Sequence, residues 1–520
     1  MFARLRVVLL PMQWRTGGCL RRVVAGPHAT SLVAKTLSCL LFLVSSAFSE
    51  GPRDSMTSPG LLDASLSVER ETSRPNAARR SQASDVDHPA TLETALSRIG
   101  ELEQQLDLLS QQVMYSRAPM VCPPPASKYR VEYDGGWTLR PNDPASDPFE
   151  LSFELHNQFR YTGFDRDNAI SPDAAGNNRI ISNRNDFDIN RGRLVFRGYA
   201  FDPALQFYAN IDYSTVASNP IQPLLAWISM DVTQQSAFYM GLGKVPGTWE
   251  WQQTSRYTLG AERTMATTFF RPSISAGVWA SGDVTEQLHY TVFVGDGFNT
   301  LTLRANDLDT NFVYSALAWW EPFGEFGVGF SDLLAHASPV VRLGHGLTTT
   351  RADSAPSGEP GAEETVIRLS DGTRLIEPNA LGAGRTVNAF DIWLYTAHLG
   401  WKYRGCSLSG EAFFRWLRNI STTTDEKLSA IQDQGFFVQG SAFVLPQRLE
   451  AFVRTSEVHG DFGTGREVGL GVNWYLFQSR NARFTFEVTD VNDSPTQQAR
   501  TGFVAGADGT LFRTQLWTFF

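Results

Sequence analysis

Cysteine is scarce in this chain, with four in 520 residues. Two of them, Cys19 and Cys39, lie ahead of residue 50, and the remaining Cys122 and Cys406 have no spacing that would build a disulfide framework, a zinc site or an iron–sulfur cluster. Long apolar runs are missing too. No stretch after the N-terminal region approaches about 18 apolar residues, and mean hydropathy is −0.21. That excludes helical membrane spans but leaves a transmembrane β-barrel open, because period-two alternation dilutes lipid-facing residues with polar ones. Histidines number eight; His289, His336 and His398 have no motif partners, and no G-x-S-x-G occurs, so a hydrolase is not expected. Gly241-Leu242-Gly243-Lys244 lacks the spacing and the following Ser or Thr of a phosphate loop. No cofactor, metal or nucleic-acid partner is expected, and the net charge of −9 shows no basic excess.

What is present begins with an address. Residues 1–49 carry Arg4, Arg6, Arg15, Arg21, Arg22 and Lys35 and no acid, and the apolar stretch Leu37 to Phe48 is followed by plausible cleavage points after Ala47 or Ser49. This reads as a signal peptide for export. Its removal would leave a net charge of about −15. Residues 50–89, rich in Ser, Arg, Asp and Pro, have the composition of a flexible linker.

Residues 90–116 then carry a heptad seam. Leu92, Ala95, Ile99, Leu102, Leu106, Leu109 and Val113 are spaced alternately by three and four, with Glu93, Glu101, Glu103 and Gln104 around them. A helix of this length is marginal alone and is expected to join copies of itself. The seam fits a dimer or a trimer, and packing against the rest of the chain is the alternative. Pro119, Pro123, Pro124 and Pro125 stiffen the linker 117–128 that follows.

From Tyr129 to Phe520 the texture is strand, turn, strand. Phe149, Leu151, Phe153 and Leu155 alternate with Glu150, Ser152, Glu154 and His156. Leu205, Phe207, Ala209 and Ile211 alternate with Gln206, Tyr208, Asn210 and Asp212. The polar face would be the outside of a soluble sandwich or the water-filled lumen of a barrel, and alternation alone does not choose. Short breaks such as Phe201-Asp202-Pro203 and Glu321-Pro322-Phe323-Gly324 alternate with long irregular ones at 168–183 and 345–388, the asymmetry of an outer-membrane barrel. The last segment alternates from Phe512 to Phe520 and ends on an aromatic residue, so its strand should be paired along its whole length, last strand against first. The span allows roughly 16 strands. The expected fold is therefore all-β, a transmembrane antiparallel barrel preceded by a coiled-coil helix.

Two segments carry a resemblance. Phe187, Asn190-Arg191-Gly192-Arg193-Leu194, Phe196-Arg197-Gly198, Phe207 and Asp212-Tyr213 form one. Gly243-Lys244-Val245-Pro246, Ser255-Arg256, Glu262-Arg263, Gly277 and Gly295-Asp296-Gly297 form the other. Together they resemble the phosphate-selective porin O and P family, departing from it at Asn190, where Arg is common, and at Phe270-Arg271-Pro272-Ser273, where a Pro-Gly-Arg turn is usual. The resemblance implies a homotrimeric channel in the outer membrane of a Gram-negative-type bacterium, with one loop folded inward and basic residues selecting small anions such as phosphate. Guanidinium groups suit that task physically, since they offer fixed donors to phosphate oxygens and stay charged. Arg191, Arg193 and Arg197 share one strand face and are expected to line the pore, with Gly192, Leu194, Phe196 and Gly198 facing lipid. Lys244, Arg256, Arg263 and Arg271 are the further candidates for the constriction. The heptad arm could also tether such a barrel to the cell wall or a periplasmic partner.

Overall fold

The computed structural model describes residues 92–116, 127–133, 135–143, 148–216, 221–301, 303, 308–353, 367–424 and 428–520. The expected signal peptide, the linker 50–89 and most of the Pro-rich segment lie outside the described residues.

The heptad segment forms helix α1 (Leu92–Ser116). Ile99, Leu102, Leu106 and Leu109, its seam, are each more than half exposed.

The remainder is a sheet closed on itself. A hairpin, β1 (Tyr129–Tyr133) and β2 (Trp137–Pro141), precedes β3 (Phe149–Arg166), β4 (Ile170–Pro172), β5 (Asn178–Ile180), β6 (Arg184–Ala200), β7 (Asp202–Tyr213), β8 (Ile221–Thr233), β9 (Ser236–Lys244) and β10 (Ile274–Thr285). Then follow β11 (Leu288–Gly295), β12 (Val313–Trp320), β13 (Val340–Asp353), β14 (Val387–Tyr403), β15 (Cys406–Thr422), β16 (Ile431–Leu445), β17 (Leu449–Gly460), β18 (Gly463–Tyr475), β19 (Ala482–Asn492) and β20 (Gly509–Phe519). Strand β3 and strands β6 to β20 pair antiparallel with their sequence neighbours, and β20 closes on β3 from Gly509↔Arg166 to Phe519↔His156, a ring of sixteen. Closure leaves no edge in the ring. The small β4–β5 hairpin lies in the β3–β6 connection.

The pairing extends to the last residue, as the sequence led us to expect: Phe520 N donates to Leu155 O at 2.9 Å, and Leu155 N to Phe520 O at 3.0 Å. Past that point β2 takes over the same edge of β3, with Trp137 opposite Phe153 and Leu139 opposite Leu151. The ring thus begins at Phe149, and residues 129–141 extend its seam.

Burial follows an inside-out pattern. On β18 and β19, Glu467, Asn473, Thr485 and Glu487 are fully buried, whereas Leu470 is 62% and Trp474 53% exposed. Burying charge while exposing large apolar groups to water would be costly on both faces. The pattern becomes favourable when the interior is a polar network and the exterior meets an apolar surrounding.

Connections alternate. Tight turns at 201, 234–235, 286–287, 404–405 and 446–448 mark one end, and most long connections the other. Two expectations fail here, the first because His345 to Asp353 is part of β13 and not the start of a long break. Glu321 to Gly324 is not a short break: the connection at the tight-turn end runs from 321 to 339 and folds inward, burying Phe326 and Phe330. The sequence misled because Pro322 and Gly324 signal a turn, while the apolar residues that follow find their partners only in the folded interior.

Candidate functional site: a cationic lumen

The β9–β10 connection, residues 245–273, crosses the interior. Its two short helices, α2 (Trp249–Gln252) and α3 (Met265–Phe270), are held by carboxylates of the far wall, which accept the orphan N–H groups at helix starts. Glu411 on β15 accepts from Trp249 N at 2.7 Å and Glu250 N at 3.1 Å. Glu467 on β18 accepts from Met265 N at 2.8 Å, and Glu487 on β19 from Ala261 N at 2.9 Å. Thr264 caps α3, and Glu250 ties the two helices by accepting from the Thr264 hydroxyl at 2.7 Å. The apolar side of α3 packs Ala266, Phe269 and Phe270 on Leu394, Phe413, Phe437 and Val458. Backbone contact is close at Gly260, where a Cβ would come within 2.6 Å of Arg454 and 2.8 Å of Glu487. From the tight-turn end, 321–339 packs beneath: Trp249 lies 4.7 Å from Phe330, and Gly329 N donates to Gln253 Oε1 at 3.2 Å.

On the near side the inward segment is anchored by Glu262. This carboxylate takes two guanidinium nitrogens of Arg191, one at 2.8 Å, together with Arg160 at 3.0 Å and Asn190 at 2.6 Å. A β-bulge makes that possible. Gln158 pairs with Arg191 while Phe159 pairs with Ile189, so Asn190 is the extra residue and both it and Arg191 reach the interior.

Burial alone would raise the Glu262 carboxyl, but Arg191, Arg160 and Arg513 outweigh it and hold it at about 2. A carboxyl lowered in the folded state contributes stability above its unfolded value of roughly 4.3 and loses it as pH falls through the folded one. The Glu262 anchor is therefore expected to hold from pH 7 to pH 4 and to be lost only near pH 2, whereas the Glu250 carboxyl of the same segment, raised by burial, takes up a proton before it. The rise in unitary conductance at fixed salt between pH 4 and pH 2 should be absent from Glu262→Gln, and equal responses of the two channels there would contradict this assignment.

Beside the inward segment a cavity of ≈ 920 Å³ is lined by all seven residues singled out from the sequence, Arg191, Arg193, Arg197, Lys244, Arg256, Arg263 and Arg271. Arg368, Arg374 and Arg500 join them, against one lining carboxylate among the described residues, Glu154. The cations differ in what they face. Arg193 and Arg500 share Asp212, at 3.1 and 2.6 Å, and Arg197 pairs with Glu154 at 2.8 Å. Lys244 donates to the carbonyls of Trp251, Gln252 and Gln253 at 2.9, 3.2 and 2.9 Å, so its three donors fasten the inward segment to β9. Arg263 also donates to carbonyls, Glu250 O at 3.3 Å and Gln253 O at 2.7 Å. Arg263 and Arg271 lie 4.7 and 4.5 Å from the Trp251 ring, with Lys244 at 5.0 Å. Arg256 sits 4.4 Å over Phe519. The outward positions Leu194 and Phe196 stand on the other face, Phe196 packed 5.2 Å from Phe153.

Sequence reading missed Trp251, Glu262 as an anchor, and Arg368, Arg374 and Arg500. The three arginines lie in long connections, where no periodicity assigns a face; their only signal was their basic character.

No family model matches the chain, and no curated protein matches it. The resemblance to the porin O and P family thus rests on its quoted segments. Among solved structures the chain is similar to the anion-selective porin from Comamonas acidovorans, with 12% identity over 72% of this chain and 100% of that one and a TM-score of 0.47. It is also similar to OprB of Pseudomonas putida, at 10% identity, 71% and 94% coverage and TM-score 0.44. The outer-membrane channel DcaP of Acinetobacter baumannii matches at 8% identity, 72% and 97% coverage and TM-score 0.41.

Proposed function

We propose that this chain is an outer-membrane porin, a water-filled channel for passive diffusion of small anionic solutes, phosphate among them. The observation that carries the reading is the inside-out barrel whose inward segment narrows a lumen lined by ten cationic residues. Fixed positive charge in a narrow aqueous path lowers the barrier for anions and raises it for cations. Acids in the lumen answer part of that charge, Glu262 at Arg191, Asp212 at Arg193 and Arg500, and Glu154 at Arg197; acids beyond about a Debye length, roughly 10 Å at 0.1 M salt, take little from it. Purified protein in planar bilayers should give stepwise currents, and the reversal potential in a KCl gradient should have the sign of anion preference. Absence of steps would sink the channel; cation preference would sink the selectivity. Phosphate competing with chloride tests the finer assignment.

The assembly we infer is a homotrimer in lipid, supported by the heptad seam of Ile99, Leu102, Leu106 and Leu109 along α1, an apolar stripe that a helix of this length cannot bury by itself. Chemical cross-linking in detergent is expected to trap trimers with the full chain and fewer with residues 50–116 deleted. An unchanged ladder would move the assembly contacts to the barrel.

A further inference from the structure

Five aromatic side chains on five consecutive strands form an unbroken row. Tyr208 stacks on Trp227 with centroids 5.2 Å apart, Trp227 meets Tyr239 edge-on at 5.1 Å, Tyr239 stacks on Trp279 at 5.2 Å, and Trp279 on Phe293 at 5.7 Å. The register puts the row on the inner face. Tyr208 pairs with Trp227 and alternates with the outward Phe207 and Ala209; Tyr239 pairs with the buried Ser229 and with Trp279. Phe293, at the far end, is buried against Val245, whereas Tyr208, Trp227, Tyr239 and Trp279 keep part of their surface exposed. Space is left for the row, since a Cβ on Gly243 would come within 2.7 Å of the Trp279 ring.

A barrel lumen is ordinarily polar, and cross-strand aromatic pairs that only stabilised the sheet would do so equally well on the apolar outer face. The position of the row adds a second observation. Tyr208 lines the cationic cavity alongside Arg193 and Lys244, and Tyr239 lines a second cavity of ≈ 500 Å³ next to the tight turn at 234–235. The row runs around the wall across five strands and adjoins the cationic cavity through Tyr208 and the second cavity through Tyr239.

We propose that this row is a stacking track for the ring of an aromatic carboxylate, whose carboxylate group is drawn in by the arginines of the adjoining cavity. The track makes the channel prefer ring-bearing anions to compact ones of equal charge. The proposal rests on the channel reading and adds the solute class.

Benzoate, cyclohexanecarboxylate and acetate are added in turn to the native protein conducting chloride in planar bilayers, and the concentration for half-reduction of each channel's own current is read. Benzoate is expected to act at concentrations several-fold below the other two. Trp227→Ala should weaken its action by about three- to tenfold, the scale of one aromatic contact, and Trp227→Phe should recover most of it. Equal action of the three carboxylates on the native channel, or a Trp227→Ala channel as sensitive to benzoate as the native one, overturns the track while leaving the anion channel standing. If Trp227→Ala does not assemble, Tyr239→Leu carries the same comparison. Absence of chloride steps in native protein would instead mark failure of the channel reading itself.

Discussion

Replacing Arg263 and Arg271 together by glutamine is expected to lower the chloride-over-potassium permeability ratio at least about tenfold, read from the reversal potential in a KCl gradient. One unit charge about 5 Å from a passing ion is worth roughly 0.8 kcal/mol even at the dielectric of water, and more in a narrow path with low-dielectric walls. The effect has opposite sign for the two ions, so the ratio feels it twice, and screening by salt takes back part. These two positions are chosen by what surrounds them. The hydrogen bonds of Arg263 go to the carbonyls of Glu250 and Gln253, which carry no full charge, and both guanidiniums lie within 5 Å of the Trp251 ring at the cavity wall. Arg193 shares Asp212 with Arg500, so Arg193→Gln removes a charge that is already partly answered and should shift the potential less than Arg263→Gln. An unchanged reversal potential in the double variant would assign selectivity to other residues.

The contrast among these cations explains how far the sequence could be read. Strand faces were legible because period two is a local property: Arg191, Arg193 and Arg197 alternate with Gly192, Leu194 and Phe196, and the structure keeps them on opposite faces. The pairing of the final strand through Phe520 was legible for the same reason. The bulge at Asn190 was not, since one extra residue in a ladder depends on the partner strand and on Glu262, more than seventy residues away. Nor was the inward path of 245–273, because what holds it is spread across Glu411, Glu467 and Glu487 on three separate strands. Read along the chain, those three are polar residues of ordinary alternating strands; nothing local distinguishes a carboxylate facing water from one that catches a helix N-terminus. Lys244 shows the limit in another form. Its place at the cavity follows from its motif, but only geometry reveals that its ammonium is spent on three carbonyls and so shapes the constriction rather than greeting the solute.

Glu262→Gln is expected to release the near side of the inward segment and raise single-channel conductance, with noisier current, while the barrel itself still assembles. The carboxylate answers Arg191 and Arg160, both buried, and also accepts from Asn190. Glutamine keeps the shape and one acceptor oxygen but takes the carboxylate from buried Arg191 and leaves Arg160 to Asp188 at 3.6 Å, a loss of about 3–5 kcal/mol when one partner of a buried pair is removed. That strain is relieved if residues near 262 move away and let water reach Arg191 and Arg160. The far-side contacts through Glu411 and Glu467 and the packing of α3 on Phe413 and Phe437 remain, so the segment should pivot from its two helices instead of leaving the lumen. The ring is closed by its own ladders, including β20 on β3, and does not depend on Glu262. Conductance and membrane assembly should therefore separate: a larger, noisier step with native yield of folded protein supports the anchor. A native step size would show that the far wall alone sets the constriction.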